Sequence, residues 1–233
     1  MRIMKKRGAW SFGGNVPNKF EKHIKNSIPY YSEGHQIIQK LSDFFLFDGS
    51  QCYDIGCSTG NLLINLSKFS NKKKLKFYGL EIEKKMFLFC KRQIKKNNIK
   101  NIIIKNSDIK RTQLKKSNLI ISYYTIQFIH PSHRQAIFNK IFKSLNWGGA
   151  FIIFEKIRGN DARFDNIINS LYLDFKEENK FFPNEILNKS KSLRGVLEPF
   201  SDSGNMGFLK RAGFKDIQTI FHHLCFKGYL CIK

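Results

Sequence analysis

From residue 51 onwards the chain alternates short apolar runs with stretches whose apolar residues recur every three or four positions, and this alternation limits the folds open to it. The apolar runs fall at 51–55, 75–80, 101–104, 119–123 and 150–155. Between them, Leu62, Leu63, Leu66 and Phe69 share one helical face, as do Met86, Phe89, Cys90 and Ile94. A third helix repeats Ile137, Phe138, Ile141, Phe142 and Leu145 and is expected to stop at Gly148-Gly149, where glycine takes the left-handed capping conformation. Strands that are apolar on both sides and separated by helices belong to a parallel sheet covered on both faces.

Two segments stand outside the alternation. Residues 1–50 hold a Gly13-Gly14-Asn15 loop and then a helix reaching 41–45, which together read as an N-terminal helical lid. Residues 158–212 read as an amphipathic helical insertion, interrupted by Pro183, Pro199 and Gly204, within a main domain spanning 51–233. Two last strands, near 215–220 and 224–232, complete a set of seven as an antiparallel pair. Open parallel sheets bind ligands at the carboxyl ends of their strands, so a cap formed by the insertion is where a substrate pocket is expected.

The charge is lopsided: 41 Lys+Arg against 18 Asp+Glu give a net +23. Of the 41, only nine are Arg, and heavy use of Lys, Ile, Phe and Asn is also what AT-rich coding produces. Residues 68–116 alone carry 17 Lys+Arg and three acids. No apolar run approaches the roughly 18 residues of a membrane span, and the basic start Met1-Arg2-Ile3-Met4-Lys5-Lys6-Arg7 leads into no apolar signal segment. Five cysteines without a CxxC pair read as reduced thiols of a cytoplasmic protein, and no metal site is expected.

The densest chemistry lies in Tyr53-Asp54-Ile55-Gly56-Cys57-Ser58-Thr59-Gly60-Asn61. An acid near a strand end meets a turn in which Gly56 and Gly60 allow close backbone approach to a ligand. The spacing D-x-G-x-S-x-G differs from the GxGxxG of pyrophosphate sites and suits a cofactor with an amino-acid end, whose ammonium Asp54 would pair with. Glu81, closing the second strand, would accept ribose hydroxyls. Asp108, after the third, would accept from an adenine amino group.

These features resemble the class I methyltransferases that bind S-adenosylmethionine (SAM). Ser27-Ile28-Pro29-Tyr30-Tyr31-Ser32, Asp54-Ile55-Gly56-Cys57-Ser58, Thr125-Ile126-Gln127-Phe128-Ile129, Pro131-Ser132-His133-Arg134-Gln135 and Asn146-Trp147-Gly148-Gly149 together are similar to the carboxy-SAM synthases. Glu155-Lys156, Asp174-Phe175-Lys176 and Ala212-Gly213-Phe214 extend the likeness. The resemblance implies a Rossmann-like α/β class I methyltransferase fold: a mostly parallel seven-stranded sheet with helices on both faces. It implies a cofactor site of Tyr31, Gly56, Cys57, Ser58, Glu81, Ile82, Asp108 and Ile109, and a homodimer. Such enzymes make carboxy-SAM from SAM and prephenate, and a partner enzyme transfers the carboxymethyl group to a tRNA wobble uridine. Two departures stand out. Tyr123 replaces the family's Asn at the fourth strand, and Ser190, between Lys189 and Lys191, stands where the family's carboxylate-holding Arg aligns. Arg194 lies one turn on and shares a face with Ser190.

Three functions follow. The first is methyl transfer to a small molecule, with Tyr123, which also belongs to the cofactor site, at the transferred methyl. Glu155, Tyr31, His130 and His133 are further candidate bases, each with a structural alternative. The second is carboxy-SAM synthesis, with Lys189, Lys191 and Arg194 supplying the cations. The third is a SAM-binding, RNA-associated module that meets tRNA through the basic 68–116 stretch.

Overall fold

In the computed structural model the described residues are Gly8, Trp10 and 16–233; the Gly13-Gly14-Asn15 loop lies outside them. Two helices, α1 (Val16–Ser27) and α2 (Tyr31–Phe45), precede the first strand, where the pattern suggested one. The chain continues as β1 (Gln51–Ile55), α3 (Asn61–Phe69), β2 (Lys76–Glu81), α4 (Lys84–Lys96), β3 (Ile102–Asn106) and β4 (Ser117–Tyr123). Next come α5 (Pro131–Ser144) and β5 (Leu145–Lys156). Helices α6 (Ala162–Glu178), α7 (Pro183–Leu193) and α8 (Asp202–Ala212) then lead to the hairpin β6 (Asp216–His223) and β7 (Phe226–Ile232).

The seven strands form one sheet in the order β3-β2-β1-β4-β5-β7-β6. The first five are parallel; β7 inserts antiparallel beside β5, and β6 pairs antiparallel with β7, so the sheet is mixed. Both faces are dry through the middle of β1, β2, β4 and β5, as their unbroken apolar runs require, whereas β3 and β6 at the sheet edges are partly exposed. On β5, Ala150, Ile152 and Phe154 enter one core with Leu63, Phe77 and Cys90, whereas Phe151 and Ile153 enter the other with Phe138, Leu209 and Tyr229. Each fully buried side chain of this size contributes about 1.5–3 kcal/mol.

The order also locates the site. From β1 the chain crosses to β2 on one side and then returns to β4 on the other, so the loops after β1 and β4 diverge and leave a crevice between them. The Asp54 loop and Tyr123 lie at its two lips.

One expected boundary moves. Helix α5 ends at Ser144 with an extended Leu145, and Gly148 is not its cap. Instead Gly148, at φ 72°, bends the start of β5, and its N–H donates to the Lys233 carbonyl at 2.9 Å. The strand therefore starts three residues before the glycine pair.

Buried polar groups brace the turn after β4. Arg134, only 2% exposed, donates from Nε to the Ile129 carbonyl (2.7 Å) and from Nη2 to that of Gln127 (3.0 Å), and packs over Phe200. Glu155, 3% exposed at the end of β5, lies against the amides of Ile126 and Gln127, and its Oε1 has no hydrogen-bond partner among the described residues. Gln127 completes the brace, since its Oε1 accepts from the Lys156 amide at 2.7 Å. Burial pushes Glu155 up to about 8, opposed by the Arg134 charge and the two amides. Glu155 is thus an anchor of the turn rather than a base facing the crevice.

Two outcomes are expected in urea unfolding followed by circular dichroism. Arg134→Met, which strips two carbonyls of their donor and Glu155 of its neighbouring cation, lowers stability by about 3–5 kcal/mol. Because Glu155 titrates above its unfolded value, the folded chain binds the extra proton, and its contribution is lost as pH rises from about 4.5 to 8; Glu155→Gln flattens that slope.

Candidate cofactor and substrate site

A cavity of about 430 Å³ occupies the crevice, floored by the loops after β1, β2, β3 and β4 and covered by α1 and the end of α7. Its cofactor end grows from the turn after β1. Gly56 adopts φ 77°, and a Cβ there would sit 2.4 Å from Thr125, so only glycine lets the two lips approach. Gly60, at φ 82°, starts α3 and would strike the Cys90 sulfur with any side chain. Gly60 shapes the loop without lining the cavity.

Three acids surround this end. Asp54 is 2% exposed, and its Oδ1 has no hydrogen-bond partner among the described residues. Burial, reinforced by Glu81, pushes its carboxyl up to about 7. The hydroxyls of Ser58 and Ser107, also on the lining, are likewise buried and unpartnered among the described residues. Glu81 ties two loops together, Oε2 accepting from the Ser58 amide (2.9 Å) and Oε1 from the Glu83 amide (2.8 Å), while burial raises its pKa. Asp108 accepts from the Lys110 amide at 2.8 Å. An orphaned, desolvated carboxylate with two orphaned hydroxyls fits a ligand carrying an ammonium and further polar groups, as an amino-acid-bearing nucleoside does.

The wall at the end of β4 is aromatic. Tyr123 packs against Tyr31, His35 and Tyr124, with ring centroids 5.0, 4.7 and 4.6 Å away. Its hydroxyl donates to the Tyr31 carbonyl at 2.6 Å and sits where any side chain on Gly34 would be. Burial raises the phenols of Tyr31, Tyr123 and Tyr124 well above their ordinary value, and lowers His35 to about 4. Tyr123 therefore lines the site as a protonated phenol whose hydroxyl already donates to the Tyr31 carbonyl. The phenol of Tyr31 is held protonated in the same way. His130 reaches the cavity rim, exposed and bonded to Ser132, whereas His133 is exposed and off the lining.

The opposite end carries ammonium groups. Lys189 of α7 donates to His23 Nε2 (2.6 Å) and to Ser27 Oγ (3.0 Å), both on α1, and lies 5.5 Å from the Trp10 ring. Lys156, closing β5, lies 4.6 Å from the centroid of Tyr172, whose hydroxyl donates to the Ser27 carbonyl. Lys176 lies 4.0 Å from the same ring and is lowered to about 8 by burial and by Lys156. Helix α1 is latched at the acidic end as well, where Glu21 accepts from the Thr59 hydroxyl and the Asn61 amide group.

Tyr31, Asp54, Gly56, Cys57, Ser58, Glu81, Ile82, Asp108, Ile109 and Tyr123 thus all line one cavity. Lys191 and Arg194 do not. The phase of α7 turns Lys189 and Leu193 inwards, leaving Ser190 exposed, Lys191 half-buried off the lining and Arg194 exposed beyond the last turn. Glu21 and His23 are site residues that no motif singled out, and only the folding of α1 over the crevice joins them to it; of the three candidate cations of the insertion, Lys189 alone lines the cavity. All five cysteines are buried and unpaired, with Cys57 on the lining.

Comparison with known proteins gives one consistent answer. The profile described as a methyltransferase domain matches residues 46–199. A carboxy-S-adenosyl-L-methionine synthase of Staphylococcus epidermidis is 35% identical, over 96% of this chain and 97% of its own. Proteins of the same name from Sulfurimonas denitrificans and Campylobacter jejuni are 33% and 31% identical, each over 96% of this chain and 94% of its own. Among solved structures, a SAM-dependent methyltransferase from Aquifex aeolicus has a TM-score of 0.61 at 17% identity, covering 93% of this chain and 97% of that one. Human N-acetylserotonin methyltransferase, solved with SAM, has a TM-score of 0.62 at 14% identity, covering 94% and 56%. These two carry the fold alone.

Asp54 gives the site a pH signature. Its folded pKa of about 7 exceeds the unfolded value, so the ligand-free chain loses stability as pH rises from about 4 to 7. An ammonium ligand needs the ionised form, so SAM affinity, by isothermal titration calorimetry, falls as pH drops below about 7. Asp54→Asn is expected to weaken SAM roughly 10- to 150-fold (1.5–3 kcal/mol) while raising the melting temperature of the ligand-free protein at pH 8.

Proposed function

The chain belongs to the carboxy-S-adenosyl-L-methionine synthase family of SAM-dependent transferases, and on that premise we propose that it makes carboxy-SAM, with Lys189 and Lys156 holding carboxylates. The observation that carries the reading is the polarity of one apolar-walled cavity: Asp54, its Oδ1 without a partner among the described residues, at the cofactor end, and two ammonium groups at the other. The cofactor, once bound, would supply the methyl carbon: prephenate loses carbon dioxide and hydroxide and becomes phenylpyruvate, the hydroxide takes one methyl proton, and the methyl carbon takes up the carbon dioxide. Asp54 orients its amino-acid end, and the wall of Tyr31 and Tyr123 keeps water from the space between the poles. Lys189 is held by His23 and Ser27, so its charge points without reorganisation. Protonated phenols and a neutral His35 supply no strong base, which suits a carboxylated substrate that brings its own reactive groups.

Ordinary methyl transfer is the second reading, and Ser190 favours it, since a Lys does not reproduce the bidentate fork of the family's Arg. In the first reading the product serves a tRNA-modifying partner, and the reduced cysteines lead us to take the cytoplasm as its compartment. We also infer a homodimer. Phe164, Ile167 and Leu171 follow one another at helical spacing on α6 while exposed, and no residue of α6 is buried in the single chain.

The test is to incubate the purified protein with SAM and prephenate and follow adenosylated products by mass spectrometry. Carboxy-SAM is expected. Lys189→Met is expected to raise the KM for prephenate about 10-fold or more, with SAM affinity changed less than about threefold and Lys189→Arg retaining function. No carboxy-SAM, with methylation of an added acceptor instead, sinks the first reading. Light scattering should give twice the chain mass, and the chain mass alone for Leu171→Glu.

A further inference from the structure

The basic stretch does not belong to the cavity. Residues 68–116 carry +14, where an even spread of +23 would place roughly 5 in 49 residues. The fold gathers these residues at one end of the sheet: β3 is the edge strand, paired only with β2, and α4 packs along both. Sixteen of the 17 cations are exposed, Lys72 being the half-buried one. Ion pairs hold only Lys72 (to Asp43, 3.4 Å) and Lys110 (to Asp108, 3.3 Å) among the described residues. Such a field is left uncompensated at a cost in self-repulsion.

Its layout is directional. Along α4, a helix of about 20 Å, Lys84 and Lys85 open the first turn, Lys91 and Arg92 follow, and Lys95 and Lys96 close it. Cations in a first turn oppose the helix dipole, and that turn holds no acid to offset them. Lys100, Lys105 and Lys110 then follow the edge strand towards the cavity rim.

We propose that this edge is a docking surface for the phosphodiester backbone of a nucleic acid, bound through charge without sequence reading. Lysine heads act as point charges on phosphates, and only two of the 17 cations, Arg92 and Arg111, have the fork that reads guanine. The exposed apolar residues of the stretch, Phe69, Ile82, Leu88 and Ile103, sit on four different segments, and the two rings of α4, Phe87 and Phe89, are half-buried, so neither membrane insertion nor base stacking is favoured. A linear array of positive charge matches a linear polyanion.

Fluorescence anisotropy of a labelled 20-base-pair RNA duplex, and of a DNA duplex of the same sequence, tests this with the full chain. With about five phosphates contacted, affinity should fall roughly 500-fold between 50 and 200 mM salt. The triple variant Lys91→Gln, Lys95→Gln, Lys96→Gln should bind at least about tenfold more weakly and with a shallower salt slope, its SAM affinity unchanged. Lys40→Gln, Lys210→Gln, Lys215→Gln, with the same charge loss elsewhere, should bind like the parent. Equal weakening by both triples, or a salt-insensitive affinity, overturns the proposal. So does preferential binding to phosphatidylserine vesicles or polyglutamate. Preference between the RNA and DNA arms identifies the backbone.

Discussion

A buried carboxylate, Asp54, whose Oδ1 has no partner among the described residues, governs this structure. Asp54 costs free energy in the ligand-free chain, because desolvation and its neighbour Glu81 both oppose its charge. The fold tolerates it where β1 ends at the divergence of the sheet, the one place where a ligand can enter and complete it. The surrounding features follow from that position. Gly56 brings the opposite lip close, Glu81 ties the second loop to the first, and Glu21 latches α1 over the opening. The braced turn at Arg134 and Glu155 keeps the far lip from moving.

Against this acidic pole the helical segment sets a basic one. The resemblance aligns Ser190 with the family's carboxylate-binding Arg, and read along the sequence its neighbours look like equal substitutes. A helix does not treat neighbours equally: at 100° per residue, a one-position shift moves a side chain to a different face. Lys189 therefore enters the cavity, while Ser190 faces solvent and Arg194 sits past the helix end. His23 and Ser27 then fix its ammonium from α1, a segment more than 160 residues away in the chain.

The parts of this arrangement legible in the sequence are those with local rules. Two-sided apolar runs imply buried parallel strands, and the Asp54–Gly60 turn, Glu81 and Asp108 follow strand ends in order, so the acidic pole was readable residue by residue. Gly148 misled because the left-handed conformation that caps a helix also bends a strand. The place of Tyr123 at the end of β4 is local and was readable, but its hydroxyl bond to the Tyr31 carbonyl is not. The basic pole was the hardest to read, since it depends on the phase of α7 and on which face of α1 meets it.

On the proposed function, one cavity holds a cofactor at its acidic end and an added carboxylate at its basic end. Mass spectrometry of the small molecule released from protein purified out of its native cell tests that most directly. The expected result is an adenosylated sulfonium bearing one carboxyl more than SAM, lost from the Lys189→Met protein and kept by Lys189→Arg. Recovery of SAM or S-adenosylhomocysteine alone, alike in all three proteins, would contradict it.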